Sequence, residues 1–417
     1  MNMLLNRNIT GTRKYIYYAI LLFLMYEFLA KNFGLNRNFC YIVEFFSIIL
    51  LLRHPYKLYR TRLYVPFYIM IGLFVVVTIG AIINTVNPFN FIFGFRGQFL
   101  SMVFLFASAA YLRITDYHRL FDFFYKFQYL NVACTLFQFL MYHYTEDLNN
   151  GAFTGGHTQD IFCGALMTYY FYSYNQKKTN LYKLIFVLAS SMFIAVIQDE
   201  RFIFIEAGII FLYYAFIGKI NTRKIFLAII MAGIIVVGFN NLSSGQSKTL
   251  NSASNLLEYS QTAGAGYGFP RIGSAKMISA MFFDSPIEKV FGIGLGQGVE
   301  TKIPLIDSSF YNKYGKLAYS LFSFQNVFLQ TGWSGIILYV SFFLSLSVYN
   351  LRCKKKAPKK YKYLYDIAIV FSLLCTILIW YNASLRIYYG IFSYFILGIG
   401  PCTTQYLKIL NYRKRLI

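Results

Sequence analysis

Residues 184–217 read LIFVLASSMFIAVIQDERFIFIEAGIIFLYYAFI. Two apolar runs meet at Asp199, Glu200 and Arg201, and the only other formal charge in the stretch is Glu206. An ionised side chain at bilayer depth costs roughly 2.5–3.5 kcal/mol on insertion scales. Three adjacent charges between two such runs therefore mark a helical hairpin that turns at a membrane surface. The turn reads either as a charged cap in water or as a working site. It has almost no polar spacer, so Arg201 is expected at the surface or just below it. Glu206 is expected more than a turn deeper, where polar groups face a bundle interior or a wet cavity.

The rest of the chain has the same character. Of 417 residues, 57% are hydrophobic, 20% aromatic and only 13% charged, and the mean hydropathy is +0.50. Soluble domains run nearer about 45–50% apolar and about 25% charged, whereas hydrocarbon thickness asks for spans of about 20 apolar residues. The expected fold is all-α: a polytopic membrane helical bundle of about 12 transmembrane helices, forming one integral membrane domain over 1–417. Spans are expected near 15–30, 39–52, 64–83, 97–112, 121–142, 158–174, 184–198, 202–217, 225–239, 321–350, 364–382 and 388–407. The run 184–198 is short for a crossing, and 321–350 is long enough to tilt or to begin as an outer half-helix. The first apolar run lacks a small-residue cleavage site and reads as the first span.

Charge distribution sets the orientation. With the N-terminus inside, 26 of the 39 Lys and Arg fall in inner segments and 12 in outer ones, seven of those in the long loop 240–320. The positive-inside rule then puts both termini and RCKKKAPKKYK in the cytoplasm. The net charge of +23 reads as an orientation and lipid-headgroup signal rather than a nucleic-acid one. The six cysteines lie in spans or at the inner face without metal-ligand spacing, so neither disulfides nor a metal site is expected.

The long extracytoplasmic loop, 240–320, lies between the ninth and tenth expected spans. Its first part is rich in Ser, Asn and Gly and reads as flexible. After Pro270, the positions Ile272, Ala275, Ile278, Met281 and Phe282 recur at helical spacing, predicting an amphipathic helix along the outer membrane surface. Asp284-Ser285-Pro286 stops it, and FGIGLGQG supplies alternate glycines for tight turns and close approach to a ligand. With no strand–helix context, the glycines do not read as a dinucleotide motif. The next span opens with Gln325, Asn326 and Gln330, followed by small residues suited to helix packing.

In their order along residues 195–340, these pieces resemble the bacterial O-antigen ligase and O-antigen polymerase superfamily. An arginine opens a span after a short outer turn (QDER, Arg201), and the loop PRIGSAKMISAMFFDSPIEKVFGIGLGQG carries Arg271. A polar pair and glycines open the next span, in FQNVFLQTGWSGI. Family members often carry His-Asn where this chain has Gln325-Asn326, and glutamine cannot take a proton. The departure favours a polymerase over a ligase. The resemblance implies undecaprenyl-diphosphate-linked oligosaccharides as substrates in the bacterial cytoplasmic membrane. Membrane lipids, a chain-length regulator and a flippase are the implied partners.

Moving a glycan off a lipid diphosphate requires stabilising the departing charge. Guanidinium binds phosphate oxygens bidentately and stays charged, so Arg201 and Arg271 are the expected diphosphate ligands, with no cofactor or metal. An acceptor hydroxyl must lose its proton; Glu200, Asp199 and His157 are the candidate bases. Gln325 and Asn326 are expected to orient sugar hydroxyls. Glu200 reads equally as an ion-pair partner of Arg201, and His157, ahead of Asp160 in GAFTGGHTQDIF, as a bystander. A ligase-type glycosyltransferase or a polysaccharide flippase or transporter are the alternatives. The latter two should show two similar halves and a charge-lined path through the spans.

Overall fold

The computed structural model describes residues 2–36, 39–42, 44–45, 49, 63–144, 148–216, 233, 268–271, 273–299 and 308–416. Almost all of the expected span 225–239, half of 39–52, the serine-rich loop 240–267 and Ile272 lie outside these residues. The described residues form an all-helical bundle with no strand. In chain order the helices are α1 (Asn2–Phe33), α2 (Tyr64–Ile83), α3 (Pro88–Phe99), α4 (Val103–Tyr111), α5 (Ile114–Tyr142), α6 (Gly156–Asn175), α7 (Leu181–Ile197) and α8 (Phe202–Phe216). They continue with α9 (Ser274–Phe282), α10 (Pro286–Phe291), α11 (Ser309–Tyr314), α12 (Ser323–Lys356), α13 (Lys362–Tyr381), α14 (Gly390–Leu397) and α15 (Ile399–Leu416).

Four stretches, Gly11–Phe33, Tyr64–Ile83, Ser323–Lys356 and Lys359–Tyr381, are long and apolar enough to cross a membrane. The pair α3 and α4, bent by 47° at a short break, passes the same test together. The bend departs from a single span over 97–112. Asn87 accepts from the Phe89 N–H at 2.9 Å and Pro88 follows it, so a capped helix starts nine residues before the expected span.

The interior is built of rings, which accounts for the aromatic content. Every residue of α14 is buried, as expected for a helix apolar on all faces. Its Phe392 meets Phe124 of α5 at 5.2 Å and Phe162 of α6 at 5.9 Å, while Phe395 stacks on Tyr117 at 4.9 Å. The expected continuous span 388–407 is instead two helices. The Tyr117 hydroxyl donates to the Phe395 carbonyl at 3.0 Å, and a Cβ on Gly398 would come within 2.7 Å of that hydroxyl. Pro401 lacks the N–H that would bond the Leu397 carbonyl, so the ladder is interrupted here and the Tyr117 hydroxyl takes up the Phe395 carbonyl.

α12 packs along both α13 and α2, and α6 packs on α7, α8 and α13. The half-helix expected at the start of the tenth span is present. α12 is interrupted at Gly332, where φ is 62° and ψ is −160°. The break frees the Leu329 carbonyl, and the Ile293 N–H bonds to it at 2.9 Å. The two backbones touch there: a Cβ on Gly332 would lie 2.5 Å from the Val290 carbonyl, and one on Gly292 2.4 Å from Thr331 N. Gly292 and Gly296 of FGIGLGQG thus approach the protein's own backbone, Gly296 against Asn90 of α3.

The amphipathic helix exists as α9, with Ser274, Ile278 and Phe282 on its buried face. Met281 is 50% exposed, contrary to the expected register. The reason is local: α9 packs on α12, and Phe282 is held by Phe310 at 5.0 Å and Tyr314 at 4.9 Å. The Asp284-Ser285-Pro286 stop also opens a new helix. Ser285 and Glu288 form a reciprocal capping box at 3.2 and 3.0 Å for α10.

Replacing Gly332 with alanine adds both a clash and a left-handed non-glycine residue, and is expected to cost about 2–4 kcal/mol. Gly155, extended at φ −170° with nothing within 4 Å of a built Cβ, is the control. Thermal unfolding in detergent should show a clear loss for Gly332→Ala and little change for Gly155→Ala.

Candidate functional site

The hairpin turn at 198–201 and the link at 382–389 meet at one end of the bundle. Asp199 adopts φ 52°, which tightens the turn, and the Glu200 N–H closes it on the Ala195 carbonyl at 3.0 Å. Arg201 donates to Asp199 through Nε at 3.0 Å and Nη2 at 3.2 Å. The bidentate pair is partly exposed, 15% for the arginine side chain and 31% for the aspartate. Asp199 is therefore the ion-pair partner that holds Arg201, a place the sequence left open to Glu200.

Glu200 points elsewhere. A Cβ on Gly156 would come within 1.7 Å of its Oε1, so the carboxylate lies over the first turn of α6, where helix N–H groups favour negative charge. Asp160, one turn further along α6 and 1% exposed, accepts from the Asn382 Nδ2 at 3.1 Å. Asp160 and Glu206 both lie close enough to Glu200 for electrostatic interaction. Glu206 is fully buried, as its depth suggested, with its carboxyl against Gly164 and no hydrogen-bond partner for either oxygen. Among the described residues, no group of three His, Cys, Asp or Glu is placed to hold a metal ion.

Tyr381, the last residue of α13, ties the pieces together. Its ring stacks on Phe202 at 4.3 Å, next to Arg201 in the chain. The Arg271 guanidinium lies over the same ring at 4.8 Å and over Phe322 at 5.3 Å. Asp160, Glu200 and Asp199 all act electrostatically on Tyr381. The loop arginine thus lies over the ring that stacks on Phe202 and feels Asp199, the bidentate partner of Arg201.

The polar pair on α12 works through this loop. Gln325 Nε2 donates to the Phe269 and Pro270 carbonyls, each at 3.2 Å, and so fixes the segment that presents Arg271. Asn326 accepts from Gln330, whose Oε1 in turn accepts the Gly296 N–H at 2.6 Å. Both residues are 1% exposed. Their hydrogen bonds here are to the loop and to Gln330. His157, half-buried on α6, turns its ring edge to Tyr389 at 6.0 Å. Its chain neighbour Gly156 is the residue over which the Glu200 carboxylate lies.

Sequence reasoning missed Tyr381 and Asn382. Besides holding Asp160, Asn382 accepts the Ser384 N–H at 3.0 Å, and its carbonyl accepts the Ser323 N–H at 3.0 Å. The available signal was Asn-Ala-Ser interrupting an apolar run directly after an aromatic pair.

Asn382→Leu leaves Asp160 and the Ser384 N–H unpaired in a buried place, so a loss of about 2–4 kcal/mol is expected from two orphaned groups. Thermal unfolding of the purified variant should read it, with Asn382→Asp falling further because two carboxylates then face each other. No protein-family model matches the chain, and no curated protein matches it.

Proposed function

We propose that the chain is an integral membrane glycosyltransferase that polymerises undecaprenyl-diphosphate-linked oligosaccharides into a surface polysaccharide. In this reading about twelve spans cross the bacterial cytoplasmic membrane, both termini are cytoplasmic, and the hairpin turn, the loop and the 382–389 link face outward. The observation that carries the proposal is that Arg271 and the carboxylates Asp160, Glu200 and Asp199 gather around Tyr381, with Arg201 joined to the group through its bidentate bond to Asp199.

The reaction needs three things from the protein. An acceptor sugar hydroxyl on the incoming unit forms a bond to the anomeric carbon of the growing chain. The bond from that carbon to the diphosphate oxygen breaks, and the diphosphate leaves with the bonding pair. Arg201 and Arg271 offset its charge, the kind of fixed electrostatic stabilisation that often dominates catalysis. Glu200 takes the hydroxyl proton. It lies beside the arginine turn without being its bidentate partner, whereas Asp199 is engaged. Gln325 holds the loop segment at 269–270, a task that needs no titratable group, and this supports a polymerase over a ligase built around histidine. The candidate site joins an asymmetric loop, a hairpin turn and one interhelical link, whereas a flippase or transporter is expected to place its site between two similar halves.

Arg201→Ala and Arg271→Ala should each leave protein in the membrane yet abolish long glycan, with single repeat units remaining on the lipid. Glu200→Gln should slow polymerisation by about 10²–10⁴-fold, the usual worth of a general base. A gel of surface glycan from strains carrying each variant reads both effects. A normal ladder from the two arginine variants would overturn the assignment.

A further inference from the structure

The link between α13 and α14 is unusual for a loop, since connecting segments ordinarily run over the surface. Ser384 and Leu385 are fully buried and Arg386 is only 6% exposed. Arg386 Nε and Nη1 have no hydrogen-bond partner. Among the described residues no carboxylate lies within ion-pair distance of this guanidinium, although Arg13, Arg96, Lys183, Arg201 and Lys354 all have one. Burial pulls its pKa down to about 10, which leaves it charged at neutral pH.

Its electrostatic neighbours are the phenols of Tyr339 and Tyr319. The Tyr339 hydroxyl is engaged, donating to the Leu385 carbonyl at 3.2 Å and sharing a 3.3 Å contact with Tyr394. Tyr319 is fully buried beneath the glycine loop, where a Cβ on Gly298 would lie 3.0 Å from its ring. A buried cation without a counter-charge lowers stability, and replacing it with an apolar side chain is often neutral or stabilising. Residues kept at such a loss belong to functional sites more often than to scaffolds.

We propose that Arg386 anchors an oxyanion-binding site of its own, walled by Tyr339 and Tyr319 and capped by the glycine loop, which takes a phosphate or carboxylate group. It is distinct from Arg271, whose partners are Tyr381 and Phe322. The proposal goes beyond the polymerase reading and does not need it. Guanidinium pairs with either oxyanion in the same forked geometry, so the ligand is a lipid or sugar phosphate or the carboxylate of an acidic sugar.

The test uses the full chain in detergent, in an Arg201→Gln/Arg271→Gln background so that the other arginines do not contribute. Thermal unfolding is followed with inorganic pyrophosphate, with glucuronate, and with chloride at matched ionic strength. Pyrophosphate or glucuronate should raise the midpoint by about 3 °C over chloride. Adding Arg386→Met should remove that rise and leave the anion-free midpoint unchanged or higher. Adding Arg386→Lys should keep a smaller rise. A response to pyrophosphate alone identifies a phosphate ligand, and to glucuronate alone an acidic sugar. An absent rise with every anion, or an Arg386→Met protein that unfolds earlier or fails to fold, makes the guanidinium a structural element and overturns the proposal.

Discussion

Two backbones meet without side chains between them where Gly292 packs on Gln330 and Thr331 and Gly332 packs on Val290, and the loop side of the candidate site hangs on that contact. The break at Gly332 turns the first turns of α12 into a separate half-helix. Gln325 and Asn326 lie on that half-helix, and their amides, directly or through Gln330, hold the segment before Arg271 and the glycine loop. A continuous helix would satisfy its own carbonyls and offer the loop nothing. The broken one offers the Leu329 carbonyl to Ile293, while Ser334 donates to the Val290 carbonyl at 2.6 Å. Buried backbone groups must find partners somewhere, and here the loop and the break are each other's partners.

The two ends of the bundle treat charge differently. Arg13 of α1 donates to Asp116 of α5 through Nε at 2.6 Å, and Asp116 also accepts the Arg113 N–H at 2.8 Å. Lys354 pairs with Asp366, which also accepts from Tyr213 at 3.1 Å. These groups are matched and act as staples. Around Tyr381 the balance is looser, with Glu206 and one oxygen of Asp160 unpartnered. Stability is given up at that end, a pattern expected where a surface must do chemistry rather than only hold together.

Much of the broad plan was legible in the chain. Composition and apolar run length indicate a membrane-type helical protein, because both follow from solvent transfer and need no knowledge of neighbours. The turn at 199–201 was legible because three charges cannot continue two apolar helices. The half-helix before Gly332 was legible from the length of its run. The break at Gly398 had a local sign in Pro401, but the Tyr117 hydroxyl that takes up the Phe395 carbonyl comes from far away in sequence. The same is true of Asn382, whose partner Asp160 is 222 positions distant. Local pattern gives the period of α9 but not its register, which Phe310 and Tyr314 decide. The hold of Gln325 on the 269–270 segment was not legible for a related reason: a polar pair at a helix start looks the same whether it meets a substrate or a loop.

The aromatic seat of Arg271 has an energetic meaning. A guanidinium resting on a ring gains about 0.5–2 kcal/mol from it, less than a bidentate oxyanion contact offers. The same ring stacks on Phe202, the first residue of α8. The footing of the loop arginine and the start of the helix after the hairpin therefore share one side chain.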